Sequence, residues 1–152
     1  MAICTFFGHR FLVFGTGLIR EALENTIRNL IVNHQVDTFW CGGKGDFDSF
    51  VLETLRKLKQ ESFPHIQIAL VLAYVPTNKE IYQSYLRAYD SVFCPEGIEG
   101  LPRFGIVRRN KWMAKNADYV VCYVRTEQGG AYDSMKYAEK KGKPVFNLGI
   151  SH

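Results

Sequence analysis

The residues of this chain whose types and spacing could handle a ligand sit in short polar turns: Gly8-His9-Arg10, Gly42-Gly43-Lys44-Gly45-Asp46 and Gln128-Gly129-Gly130-Ala131. Each ends an apolar, strand-like run, and the two glycine turns lead directly into a helix-like one. Glycine lets a backbone bend through positive φ and removes the Cβ that would hold a ligand away from main-chain N–H groups. A helix that starts at such a turn points its unpaired N–H groups at whatever lies there. The two glycine turns differ in charge. Asp46 and Asp48 follow the first, where Asp46 is a good N-cap; this acidic end repels phosphate and suits a ribose diol, with Gly42, Gly43 and Phe47 around it. The second has no acid before Asp133, so Gly129, Gly130 and Ala131 suit a phosphate.

Arg108 and Arg109 lie on a helix just upstream of the second turn, with Arg103 and Lys111 nearby. Arginine clamps phosphate bidentately. Arg109 shares an i, i+4, i+8 stripe with Met113 and Ala117, so it faces the core and needs a partner or a ligand there. His9 offers a hydrogen-bond or acid–base group and Arg10 an anion anchor, while Tyr74 could stack on a base. Each also has a plainer use, as a tight connection, a snorkelling arginine or core packing. Cys4, Cys41, Cys94 and Cys122 are scattered through strand-like runs without metal-ligand spacing; they are expected to be core thiols, and no metal or cofactor is expected.

The elements that must position these groups alternate. Strand-like runs at Ala2 to Phe7, Asp37 to Cys41, Ile66 to Tyr74, Ser91 to Cys94, Asp118 to Val124 and Pro144 to Leu148 are separated by helical periodicity. The helices run through Ile19 to Ile31, from Asp46 through Leu58, from Arg103 to Asn116 and from Ala131 to Lys141, with a helical turn around Ile81 to Ala88. Gly142 ends the last helix. This alternation predicts an α/β fold of three layers, Rossmann-like, with a mostly parallel central sheet and the turns along one edge.

The 152 residues, 47% hydrophobic and 22% charged, fit one domain spanning 1–152. A net charge of +4 suits an anionic small ligand, and on that balance nucleic acid is not expected as a partner. No apolar run reaches a membrane span, so a cytoplasmic protein without a membrane partner is expected.

The segments Thr5-Phe6-Phe7-Gly8-His9-Arg10, Gly45-Asp46-Phe47-Asp48, Leu70 to Pro76, Pro95-Glu96-Gly97, Arg108 to Met113 and Gly129-Gly130-Ala131 resemble the SLOG family. The likeness is to its short bacterial and phage-borne branch, related to the YpsA-like proteins, and it covers Thr5 to Leu148. It implies a pocket for a nucleotide-derived small molecule such as ADP-ribose, cyclic ADP-ribose or an NAD-related signal, in a homo-oligomer, dimer or tetramer. In the related LOG phosphoribohydrolases an Arg-Lys helix precedes a PGGxGTxxE turn. Arg109 matches the arginine, but Asn110 takes the lysine's place, Tyr132 and Asp133 replace Gly-Thr, and Lys136 stands where the glutamate falls.

A cation in place of that glutamate favours binding over N-glycosidic cleavage. The expected function is therefore to sense or sequester the ligand, for a phage as an anti-defence sponge. The alternative is a phosphoribohydrolase acting on nucleoside 5′-monophosphates, whose catalytic groups would be drawn from Asp46, Asp48, Arg109 and Glu127. The expected ligand set is Gly8, His9, Arg10, Gly42, Gly43, Asp46, Phe47, Asp48, Tyr74, Arg108, Arg109, Gly129, Gly130 and Ala131.

Overall fold

The computed structural model describes residues 1–12, 15–98 and 104–150. Its strands are β1 (Ala2–Gly8), β2 (Val36–Cys41), β3 (Gln67–Val71), β4 (Ser91–Phe93), β5 (Tyr119–Tyr123) and β6 (Val145–Asn147). Between them run α1 (Thr16–His34), α2 (Asp46–Glu61), α3 (Lys79–Ala88), α4 (Gly105–Asn116) and α5 (Gly130–Lys140). The strands form one sheet in the order β4-β3-β2-β1-β5-β6, and every neighbouring pair is parallel. This is the three-layer α/β/α, Rossmann-like architecture expected from the alternation.

β1 is buried at every position from Ile3 to Phe7 because it is central and covered on both faces. Cys4 and Phe6 pack against α1 and α2, whose inner faces repeat at helical spacing: Ile19, Leu23, Ile27 and Leu30 on one, Phe47, Val51, Leu55 and Leu58 on the other. On the opposite face, Ile3 and Phe7 meet α4 and α5 through Met113, Ala114, Ala117 and Ala138. Thr5 also points to that side, donating its hydroxyl to the Trp40 carbonyl at 3.0 Å with Met113 Sδ at 3.3 Å. The alanines let α4 and α5 lie close to the sheet.

The connections set the position of the site. From β1 the chain steps outward through β2, β3 and β4, then returns across the sheet to place β5 on the other side of β1. The direction of travel reverses at the β1/β5 boundary. Loops leaving these two strands therefore diverge to opposite faces and open a crevice at the sheet's C-terminal edge.

Several boundaries differ from those read in the sequence. β3 ends at Val71 instead of Tyr74. Its neighbour β4 is only three residues long, and the last ladder bond runs from Leu72 N–H to the Phe93 carbonyl. The helical turn near Ile81 is a ten-residue helix whose cap Asn78 accepts the N–H groups of Glu80 and Ile81. Cys4, Cys41 and Cys122 are buried as expected, but Cys94 is half-buried. The expected helix start at Arg103 lies outside the described residues.

Candidate functional site

Three backbone segments meet in the crevice and are stitched together. After β1, the His9 N–H donates to the Tyr123 carbonyl at 3.1 Å, and the Arg125 N–H donates to His9 Nε2 at 2.8 Å. An imidazole nitrogen that accepts from an amide carries no proton, so His9 is neutral with its proton on Nδ1. Burial and the neighbouring Arg125 both push its pKa down, which agrees with that assignment. On the other side, Asp46 N–H donates to the Arg10 carbonyl at 2.8 Å and Asp46 Oδ2 accepts the Leu12 N–H at 2.9 Å. His9 thus ties the β1 loop to the β5 loop, and Asp46 ties it to α2.

The first glycine turn is shaped by packing. Gly43 and Gly45 have φ of 79° and 94°, and a Cβ on Gly45 would stand 3.0 Å from Arg10 Cα. A Cβ on Gly8 would run into the Phe47 ring, which fills the space beneath the β1 turn. Asp46 is not the N-cap of α2: Gly45 occupies that position and no side chain caps the helix. The Asp46 carboxylate reaches back to the β1 loop instead. Phe47 is only 1% exposed and is a core residue, stacked 6.2 Å from Tyr123, so it presents nothing to a ligand.

Arg109 finds its partners inside the protein. It is 6% exposed, and its Nη1 donates to the carbonyls of Gly42 and Val71, both at 3.0 Å, while Nε donates to Asn110 Oδ1 at 3.0 Å. The guanidinium thereby caps the C-terminal ends of β2 and β3, whose last carbonyls have no further strand residue to bond. A Cβ on Gly42 would come within 3.3 Å of the Arg109 guanidinium and of Asp48 Oδ2, so the turn packs tightly against both side chains. Asp48 accepts the Lys44 N–H at 3.0 Å. Burial lifts its carboxyl to about 6, against the opposing pull of the Lys44 N–H and the Arg109 charge.

The second glycine turn faces open space. Gly129, at φ 98°, is the N-cap of α5, no side chain caps that helix, and among the described residues no atom outside the local chain lies within 4 Å of where a Cβ on Gly129 or Gly130 would be. The turn borders a cleft of about 460 Å³ whose lining includes Gly8, His9, Arg10, Gly42, Asp48, Arg109, Gly129, Gly130 and Ala131. Gly43 and Tyr74 line a smaller adjoining recess. Asp46, Phe47, Arg108 and Glu127 line neither; Arg108 lies over the Phe104 ring, 5.9 Å from its centroid. The cleft also takes in Lys44, Ile106, Asn110 and Met113, which were not among the expected ligand residues. Lys44 stands inside the glycine turn and Asn110 next to Arg109, and those positions were the available signals.

Arg10 and Lys44 supply exposed positive charge, and the α5 N-terminus adds a partial positive dipole. An anion is therefore the natural occupant. Among the described residues no cluster of His, Cys, Asp and Glu could hold a metal ion, and no helix is long and apolar enough to cross a membrane.

No protein-family model matches the chain, and no curated protein sequence does. Solved structures do. The structural-genomics target TM1055 matches over 95% of this chain and 72% of its own, with a TM-score of 0.60 at 17% identity. DNA processing protein A of Streptococcus pneumoniae matches over 99% of this chain and 51% of its own, at TM-score 0.68 and 16% identity. The corresponding protein of Helicobacter pylori, described for its single-stranded DNA binding mode, matches over 96% and 64%, at 0.64 and 14%. This chain spans about half of the first DNA processing protein and under two thirds of the second. These neighbours overturn the exclusion of nucleic acid drawn from the charge balance, since the Helicobacter protein, described for its single-stranded DNA binding mode, has a fold of this kind. Net charge is a sum over the whole surface and does not measure the field in one cleft. What the chain shares with these proteins is the parallel, Rossmann-like α/β fold that the strand–helix alternation predicts.

Proposed function

We propose that the crevice binds a phosphate-bearing, nucleotide-derived small molecule and holds it without cleaving it. The observation that carries this reading is the open Gly129-Gly130 turn. Gly130 has neither positive φ nor, among the described residues, a tertiary neighbour that a Cβ would strike, so no described contact requires glycine there. A phosphate seated on the bare N–H groups of α5 does require it. Arg10 and Lys44 are the exposed countercharges, and Asp48 accepts ribose hydroxyls. Arg109 acts from beneath as a positioning residue.

Retention without turnover draws on the replacement of the LOG-type glutamate by Lys136, which is exposed on α5, pairs with Glu139 at 3.9 Å and lies outside the cleft lining. The carboxylate that does line the cleft, Asp48, is engaged by the Lys44 N–H. ADP-ribose and NAD-related signals have the phosphate and ribose that this cleft suits, and a chain that holds such a molecule would sequester it. A second reading, single-stranded DNA in the same cationic crevice, draws on the Helicobacter neighbour and on Arg10 and Lys44.

Calorimetric titration with ADP-ribose, AMP and a short oligothymidylate tests both. The Gly130→Val variant, which fills open space, should keep the wild-type melting temperature and lose at least tenfold in affinity for ADP-ribose and AMP. Binding of the oligonucleotide alone would replace the small-molecule reading with the DNA one. Release of free adenine from AMP, followed by chromatography, would replace retention with hydrolysis.

A further inference from the structure

A smaller hollow opens beside the main cleft at the C-terminal ends of β2 and β3, and the phosphate and ribose contacts leave it unused. It has a volume of about 40 Å³, a floor of Leu70 and Leu72, and walls that include Tyr74, Tyr85 and Ile106. Gly42, Lys44, Ile106 and Arg109 line both hollows, so the two adjoin. Tyr74 is 53% exposed, just past the end of β3, and its ring is not part of either core cluster. The Lys44 ammonium lies 5.6 Å from the Tyr74 centroid. Lys44 lines both hollows and Tyr74 lines the smaller one, so the ring that Lys44 covers stands beside the place where they adjoin.

An aromatic face held half out of the core beside a cationic cleft has the chemistry of a base platform: a planar ring on one side, an anion seat on the other. We propose that Tyr74 is the stacking surface for the planar heterocycle of the bound nucleotide, at the mouth of this recess. The recess is too small to swallow a whole base, so the heterocycle lies across its mouth on the Tyr74 face, with one edge toward Leu70 and Leu72. Lys44 leaves the ring as the base arrives and turns its charge to the phosphate side. One cation–π contact is exchanged for a stacking contact and a charge-assisted hydrogen bond. The inference rests on the nucleotide reading of the main cleft and adds which part of the ligand goes where.

The experiment compares AMP with ribose 5-phosphate, which lacks the base, by calorimetric titration of wild type, Tyr74→Ala and Tyr74→Trp. The expected result is AMP binding about tenfold or more tighter than ribose 5-phosphate to wild type. Tyr74→Ala should lose that advantage while ribose 5-phosphate affinity stays unchanged, and Tyr74→Trp should keep it. Equal affinity of wild type for both ligands overturns the base platform while leaving the phosphate seat standing. An equal loss of both ligands in Tyr74→Ala does the same. If neither ligand binds wild type, the nucleotide reading falls, and the platform falls with it. Tyr74 is exposed, so circular dichroism and melting curves should be the same for all three proteins.

Discussion

Asparagine at position 48 copies the protonated carboxyl in shape and keeps an oxygen for the Lys44 N–H, so Asp48→Asn isolates the cost of one charge. Burial lifts this carboxyl from its ordinary 3.8 to about 6. At about 1.4 kcal/mol per pH unit, the ionised side chain costs the folded state about 3 kcal/mol. The unfolded chain gives up this proton near 3.8 and the folded one near 6, so between those values the folded protein binds more protons. Stability from this group is therefore fully present below pH 4 and lost as pH rises through 6. The variant has no such proton to lose. It should match wild type at pH 4 and be more stable by about 3 kcal/mol at pH 8, with the gain developing across the interval. Urea unfolding of both proteins at unit pH steps from 4 to 8 measures it, and taking the difference between them cancels every other carboxylate. A difference that stays constant across that range would refute the reasoning, because it would mean that Asp48 titrates like a solvated carboxyl.

Other substitutions follow from the same geometry. Arg109→Met leaves the Gly42 and Val71 carbonyls without their donor, and at about 1–3 kcal/mol per abandoned group the loss should be about 2–6 kcal/mol, read from urea midpoints. A loss under 1 kcal/mol would mean that water reaches those carbonyls. Gly8→Ala drives a Cβ into the Phe47 ring and should cost about 1–3 kcal/mol by the same measurement, whereas Gly130→Val should cost almost nothing. The contrast between these two glycines separates one used for packing from one that faces the cleft.

The strand–helix alternation was legible because periodicity is a local property. The buried run of β1, the stripes of α1 and α2 and the Gly142 stop each follow from residues a few positions apart. The Arg109-Met113-Ala117 stripe was legible for the same reason, and it announced that a buried charge needed a partner. The partner itself was not legible: Gly42 and Val71 lie 67 and 38 residues away in the chain, and only the order of the sheet brings their carbonyls to one guanidinium. Phe47 entered the expected ligand set with the Gly45-Asp46-Phe47-Asp48 motif, yet its place on the apolar face of α2, with Val51, Leu55 and Leu58, turns it into the core under Gly8. Asp46 has the residue type of an N-cap, but Gly45 takes the cap and the carboxylate crosses to Leu12.

By itself the sequence determined the class of fold and the edge on which the turns emerge. Both depend on local pattern and residue type. Only the tertiary structure decided which glycines are filled by neighbours and which face open space, which cations remain at the cleft surface and which is consumed as a strand cap. Those outcomes depend on distances between residues far apart in the chain, which sequence spacing does not encode.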